Sequence, residues 1–400
     1  MAQFIRIEEP PRRTATVQGF TLWQLGFRPF FLLASIFAAL SIGLWALQFA
    51  GTLGRPYLQG PMWHAHEMLF GFALAVVVGF LLTAGRNWSN RPTLSGAPLA
   101  ALAALWIAGR VLVLTPFGWA AAIVNVAFPL AAAIALAIPF IAARNRRNYF
   151  FVGLLLLLMA AAVGAVHLAQ LGVLRIPGWI GIQIALDVLL FIMAVMTGRV
   201  IPMFTNNGVP GANATRRPAL EKAALGAVLA LLLADALQLH GAALAALAGA
   251  GAAAHLARWL LWQPWKTRRA PLVWVLHAAY LWIPMHLALR ALAEMGWWAT
   301  PSAAIHALTV GAAGGLIIGM MTRTARGHTG RPLQAGRAEV ACYVLVLVAA
   351  GVRVFVPLVA PGQALHAVLC SAALWSAGFA LYAVVYGPML IRPRVDGRPG

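Results

Sequence analysis

The chain contains ten histidines but is otherwise poor in ionisable groups. Imidazole is the commonest metal ligand in proteins, so the grouping of these histidines matters most. The densest group is Trp63-His64-Ala65-His66-Glu67-Met68. Two histidines two residues apart on a helix point about 200° apart, which argues against one shared metal. One of them can be an inward ligand and the other a rim partner. Glu67 can accept a hydrogen bond from a neighbouring imidazole. The same run also reads as an amphipathic helix entry at a membrane interface. A second motif is His306-Ala307-Leu308-Thr309-Val310-Gly311, followed by Gly315 and Gly319. The glycines form a tandem GxxxG face that admits a close neighbour, either a helix or a flat ligand. His167, His240, His255 and His277 read as hydrogen-bonded core or interfacial histidines. Cys342 and Cys370 sit in apolar runs and read as packing thiols. The chain has no CxxCH motif, so covalent c-type haem attachment is excluded.

These side chains are carried by unusually apolar elements. Hydrophobic residues make up 62% of the 400, charged residues only 10%, and mean hydropathy is +0.83. A soluble domain carries about 25% charged residues, so a soluble protein is excluded. About twelve apolar runs of membrane-spanning length follow one another, near 29–49, 62–84, 97–114, 118–142, 149–171, 179–202, 219–238, 241–260, 271–292, 303–321, 338–356 and 363–390. The expected fold is an all-α polytopic membrane helical bundle, because lipid leaves no partner for a bare backbone. Residues 1–28 read as a cytoplasmic tail, with 19–28 at the membrane surface. Residues 29–390 read as one twelve-span domain, and 391–400 as a second cytoplasmic tail. The first apolar run is a full span, so no signal peptide is expected.

The formal net charge of +20 raises the question of nucleic acid. Its distribution answers it. With the N-terminus inside, Arg55, Arg110, Arg175, Arg290 and Arg353 fall on the outer side, and every other Lys and Arg falls on the inner side. This is the positive-inside pattern, which places both termini in the cytoplasm and suits anionic lipid headgroups rather than nucleic acid. The same topology puts His64, His66, His167, Asp187, His286, His306 and His366 in the outer half of the membrane. Ionisable groups at that depth are functional candidates. Arg110, Arg290 and Arg353 can reach haem propionates there, or simply snorkel to the interface. Arg199, Pro202, Asn206, Arg323, Arg326 and His328 gather on the inner side, as anchors or as a cytoplasmic ligand site.

The two histidine motifs are related to each other. A shift of 240 residues pairs His66 with His306, Gly71 with Gly311, Gly79 with Gly319, Arg86 with Arg326, and Arg91-Pro92 with Arg331-Pro332. Two equivalent histidines at equal depth suit axial ligation of one haem. The expected ligands of a b-type haem are therefore His66 and His306, with His64 as first alternate. Copper would need other histidines, with His64, His286 and His366 as candidates.

The chain resembles the NnrS family of bacterial membrane proteins. The resemblance rests on Gly26-Phe27-Arg28-Pro29-Phe30-Phe31, the run from Trp63 to Phe72, Asn87-Trp88, the run from Gly198 to Asn206, and Trp274-Val275-Leu276-His277. It continues through the run from His306 to Gly311 and the loop from Met321 to Pro332. It implies a haem- and copper-containing protein of the bacterial inner membrane, linked to nitric-oxide metabolism, denitrification or nitrosative stress. Nitric oxide or a nitrosylated metal is then a ligand; no motif names an electron donor or a reaction. A more distant likeness is to haem-copper oxidase subunit I, where a low-spin haem lies between histidines of helices 2 and 10. The sixth span lacks that family's His-Pro-Glu copper motif and offers Asp187 instead. The seventh has no His-His pair, so an oxygen-reducing centre is not expected. The competing reading is a transporter of a small molecule or metal that uses the intramembrane Asp187 and histidines.

Overall fold

The computed structural model describes residues 19–49, 51–52 and 56–398. Arg55 and the tail up to residue 18 lie outside the described residues. Every element among the described residues is helical. The main rods are α1 (Phe27–Phe49), α2 (Gly60–Ser89), α3 (Gly96–Leu112), α4 (Gly118–Ala142), α5 (Arg146–Gln170) and α6 (Trp179–Gly208). They continue as α7 (Pro218–Ala236), α8 (Ala242–Leu261), α9 (Pro271–Glu294), α10 (Pro301–His328), α11 (Arg337–Val359) and α12 (Ala364–Ile391). Each expected span coincides with one rod. Ten are long and apolar enough to cross a membrane. The other two are α3, apolar but only 17 residues long, and α7, which carries Glu221, Lys222 and Asp235. The chain is thus a multi-pass, all-helical membrane protein.

Consecutive rods pack against each other, and α1 closes the bundle against α12. The central rods are α2 and α10. In their most apolar stretches 78% and 72% of residues are buried, against 28% at α12. Both central rods share a local irregularity. In α2 the α-helix ends at His66 and a π-helical turn runs Glu67–Ala73. In α10 the α-helix ends at His306 and a π-helical turn runs Ala307–Gly314. The sequence repeat is therefore also a backbone repeat, in register. Wide turns of this kind rotate the side chains that follow and recur at functional sites.

The GxxxG face of α10 packs against protein. A methyl group on Gly311 would strike the Trp282 ring, one on Gly315 would lie 2.7 Å from Ala279 Cβ, and one on Gly319 would lie 2.9 Å from Leu276. All three neighbours are on α9.

The segments just before α1 and just after α12 are tied to the bundle. Arg28 is buried, and its Nη1 donates to the carbonyls of Leu390 (2.8 Å) and Arg392 (2.9 Å) at the end of α12. Thr21 N–H donates to Ile391 O at 3.0 Å. Beyond α12 the chain folds back, with Val395 N–H donating to Thr329 O at 3.1 Å. The inner-side motif residues have structural partners too. Arg323 lies over the Phe204 ring, Asn206 bonds Ala214, and Arg326 bonds Glu339. Arg28 therefore clasps the first helix to the last carbonyls of the final one. Hydrogen bonds to a charged group contribute about 1.5–3 kcal/mol each. Arg28→Ala should lower the thermal midpoint of the solubilised protein by several degrees, measured by loss of helical signal on heating. An unchanged midpoint would show that the clasp is dispensable.

Candidate functional site

A cavity of about 610 Å³ opens between α1, α2, α6, α10, α11 and α12. Its polar residues include His64, Gln183, Ser302, His306 and Arg353. Its walls are otherwise mostly apolar and include Leu69, Phe72, Leu186, Val310 and Trp375. Cofactor pockets typically measure about 300–1,000 Å³ and have this apolar lining with a few convergent polar groups.

The two cavity histidines are held differently. His306 Nδ1 donates to the Ser302 carbonyl, one helical turn back, at 2.7 Å. That bond keeps the proton on Nδ1 and leaves Nε2 as a lone pair. The His64 ring stacks on Trp45 with centroids 4.8 Å apart and planes at 27°. His64 Nδ1 is buried and has no hydrogen-bond partner. Arg353 has no carboxylate partner among the described residues.

The expected pair His66 and His306 do not share this cavity. His66 does not line this cavity. It is fully buried, with Nδ1 2.8 Å from Glu67 Oε1 and Nε2 3.1 Å from His167 Nε2. The physical reason is the angular one. Residues two apart on α2 point to different sides, and His64 takes the side that meets α10. His66 takes the side that meets α5 and the Glu67–Arg110 pair. The sequence repeat holds in the backbone and fails in side-chain direction. His167 had read as an ordinary core histidine, and nothing in its sequence context marks it as the partner of His66.

The three arginines that could serve propionates also separate. Arg110 Nη1 donates to Glu67 Oε1 at 2.5 Å, and Nη2 bonds Asn125 Oδ1. Gly71 makes room for it, since a methyl group there would meet Arg110 Nη1 at 2.7 Å. Arg290 bonds Asp235 and lies 3.8 Å from Asp187 Oδ1. Only Arg353 of the three shares the cavity with His64 and His306.

Asp187 is engaged rather than open. Gln183 Nε2 lies 3.2 Å from Asp187 Oδ1 and 3.3 Å from Asp235 Oδ2, so one amide links the two carboxylates beside Arg290. A second cavity of about 500 Å³ lies over this group, lined by Gln183, Asp235, His240, His286, Arg290 and Glu294 among others. His286 Nδ1 donates to Ala304 O at 2.7 Å. His366 is exposed on α12 and lines neither of these two cavities. His64, His286 and His366 are therefore not gathered into one copper site. Among the described residues no group of three or more His, Cys, Asp or Glu is placed to hold a metal. His255 and His277 are core histidines, as expected, bonded to Tyr280 at 2.6 Å and to Thr205 at 2.8 Å.

The fold and this site define a multi-pass helical membrane protein with a histidine-bearing, largely apolar cavity between six of its helices. Residues 21–394 match the NnrS protein family, and the chain belongs to that family. Membership places it among membrane proteins linked to nitric oxide. No curated protein matches the chain.

Removing one partner from a buried charge cluster leaves the others uncompensated, at a cost of roughly 3–5 kcal/mol. Arg290→Ala should therefore destabilise the solubilised protein by about that amount in thermal or denaturant unfolding. Asp187→Asn in the same chain should recover part of the loss. No recovery would mean that the two carboxylates do not oppose each other.

Proposed function

We propose that the chain binds one b-type haem in the 610 Å³ cavity, near the outer face of a bacterial inner membrane, with nitric oxide as the ligand it handles. The observation that carries this reading is the meeting of His64 from α2, His306 from α10 and Arg353 from α11 in one largely apolar cavity. The donor set fits haem. His306 is oriented by its bond to Ser302, as a metal-ligating histidine is by its outer hydrogen bond. Arg353 supplies an uncommitted cation for a propionate. Phe72, Leu186, Val310 and Trp375 give the cavity apolar walls that suit a flat apolar ring. When bound, haem would supply an iron that takes a diatomic ligand and does one-electron redox chemistry.

The two histidines have unequal roles in this reading. His306 is the anchoring ligand, because its Nδ1 is satisfied. His64 lacks that support, since its Nδ1 has no acceptor. An imidazole without an outer hydrogen bond is less firmly oriented and a weaker donor. Of the two residues that would hold the haem, His64 is therefore the less firmly positioned. Asp187, on which the transporter reading rests, is bonded to Gln183 and sits beside Arg290.

Optical spectra of the purified protein test this directly, oxidised and reduced, with and without nitric oxide. The wild-type chain should show a Soret band and sharp reduced α and β bands. His306→Ala should lose most of its haem. His64→Ala should retain haem in a five-coordinate, high-spin form that binds nitric oxide faster. His66→Ala should keep the wild-type haem spectrum. A protein that stays colourless when expressed with excess haem would overturn the proposal. Haem lost in His66→Ala but kept in His64→Ala would restore the pairing expected from the sequence.

A further inference from the structure

A third cavity, of about 100 Å³, lies further along three of the helices that line the haem cavity, α2, α6 and α10. The lining residues run from one cavity into the other at helical spacing. On α2, Phe72 and Ala73 face the haem cavity, and Val76, Val77, Phe80 and Leu81 face the smaller one. On α10, Val310 and Ala313 give way to Leu316, Ile317 and Met320. On α6 the stripe runs Gln183, Leu186, Leu189, Ile192, Met196 and Val200. Residues three and four apart share one face of a helix, so each helix turns a single face to both cavities. Leu189 lines both, and this one side chain stands at the junction. The two cavities therefore form one column along the α2–α6–α10 seam. His64 and His306 lie at one end, and Phe80, Val200 and Met320 at the other.

The walls of the smaller cavity offer nothing to a polar ligand. Thr197 is the one polar residue that lines it, and its hydroxyl donates to the Met193 carbonyl one turn back. A buried water needs about two to four polar partners, so this cavity is dry. An ion such as nitrite would lose its hydration there and gain no partner. Phe31, Leu81, Phe151, Ile201 and Leu276 line it as well and are all buried. A dry apolar cavity of roughly 150 Å³ takes benzene or xenon, and a smaller one takes smaller apolar molecules. Protein interiors keep few voids larger than a water. Register with the haem cavity on all three helices separates this void from a chance packing fault.

We propose that this cavity is a docking site for a small uncharged gas, and that Leu189 is the side chain past which the gas moves to and from the haem cavity. The ligand class follows from the walls alone. Its identity as nitric oxide rests on the haem reading above. Nitric oxide is diatomic, uncharged and soluble in hydrocarbon, so it can reach the column from the lipid without passing the polar residues at the other end. Buried side chains do change rotamer, so a leucine can open and close the junction without movement of a helix.

Xenon is the probe for the site itself, because it is apolar, similar in size to a diatomic gas and independent of haem. Detergent-solubilised protein is titrated with xenon and followed by xenon NMR. One saturable site per chain is expected. It should be lost in Ile192→Trp and weakened in the milder Ile192→Phe, since Ile192 lines the smaller cavity and not the haem cavity. Flash photolysis of the nitric-oxide complex then reads the route. Ile192→Phe should slow bimolecular rebinding severalfold, with haem content and equilibrium spectrum unchanged. Leu189→Ala, or Leu189→Val as the milder change, should speed it, an effect that damage to the fold would not produce. The absence of a saturable xenon site would overturn the proposal, and a resident lipid acyl chain would give that result. Equal xenon uptake by wild type and Ile192→Trp would overturn it too, as would rebinding rates that no variant changes. A colourless protein would remove the haem reading and leave the xenon titration to decide the docking site.

Discussion

In a hydrocarbon surround no water is available to a charged side chain, so a buried charge must find a counter-charge or polar partners inside the bundle. This constraint organises the interior. Glu67 of α2 meets Arg110 of α3, which reaches on to Asn125 of α4. Asp187 of α6, Asp235 of α7 and Arg290 of α9 form a second knot. Arg258 of α8 holds Glu221 of α7 at 2.9 Å. Glu339 of α11 accepts from Arg326 of α10 and from Tyr386 of α12. Each knot joins two or three helices that hydrophobic packing alone would leave free to slide or rotate. Together they fix which face of each helix turns inward.

The consequence is clearest on α2. Glu67 begins the π-helical turn, and its bond to Arg110 sets the rotation of α2 about its own axis. That rotation carries His66 toward α5 and His64 toward α10. One short run of sequence thus presents one histidine to a cavity and another to a buried hydrogen-bond network, on different faces of the same helix. Gly71 belongs to the same device, because only a residue without a side chain lets Arg110 pass so close to α2.

The relation between α2 and α10 shows how a repeat can survive in backbone and diverge in chemistry. Both rods change from α to π geometry immediately after their paired histidine. In α10 no acid follows His306, and the ring turns its Nδ1 to its own helix at Ser302. In α2 the acid at position 67 captures His66. Substitution of one neighbouring residue, Glu67 against Ala307, separates a histidine facing the central cavity from one locked in a side network.

The sequence by itself determined the class of fold, the placement of every helical rod and the family. These are properties of composition and of one-dimensional spacing, and lipid allows few other solutions. It also pointed to α2 and α10 as the central pair, through the repeated His and Gly positions. Only the tertiary structure decided that His64 shares the cavity with His306, that Arg353 shares it while Arg110 and Arg290 do not, and that His167 faces His66. Each of these depends on the rotation of a helix about its axis and on a partner more than thirty residues away in the chain. The spacing of residues along one helix fixes their angles to each other, and leaves open which of those angles faces which neighbour.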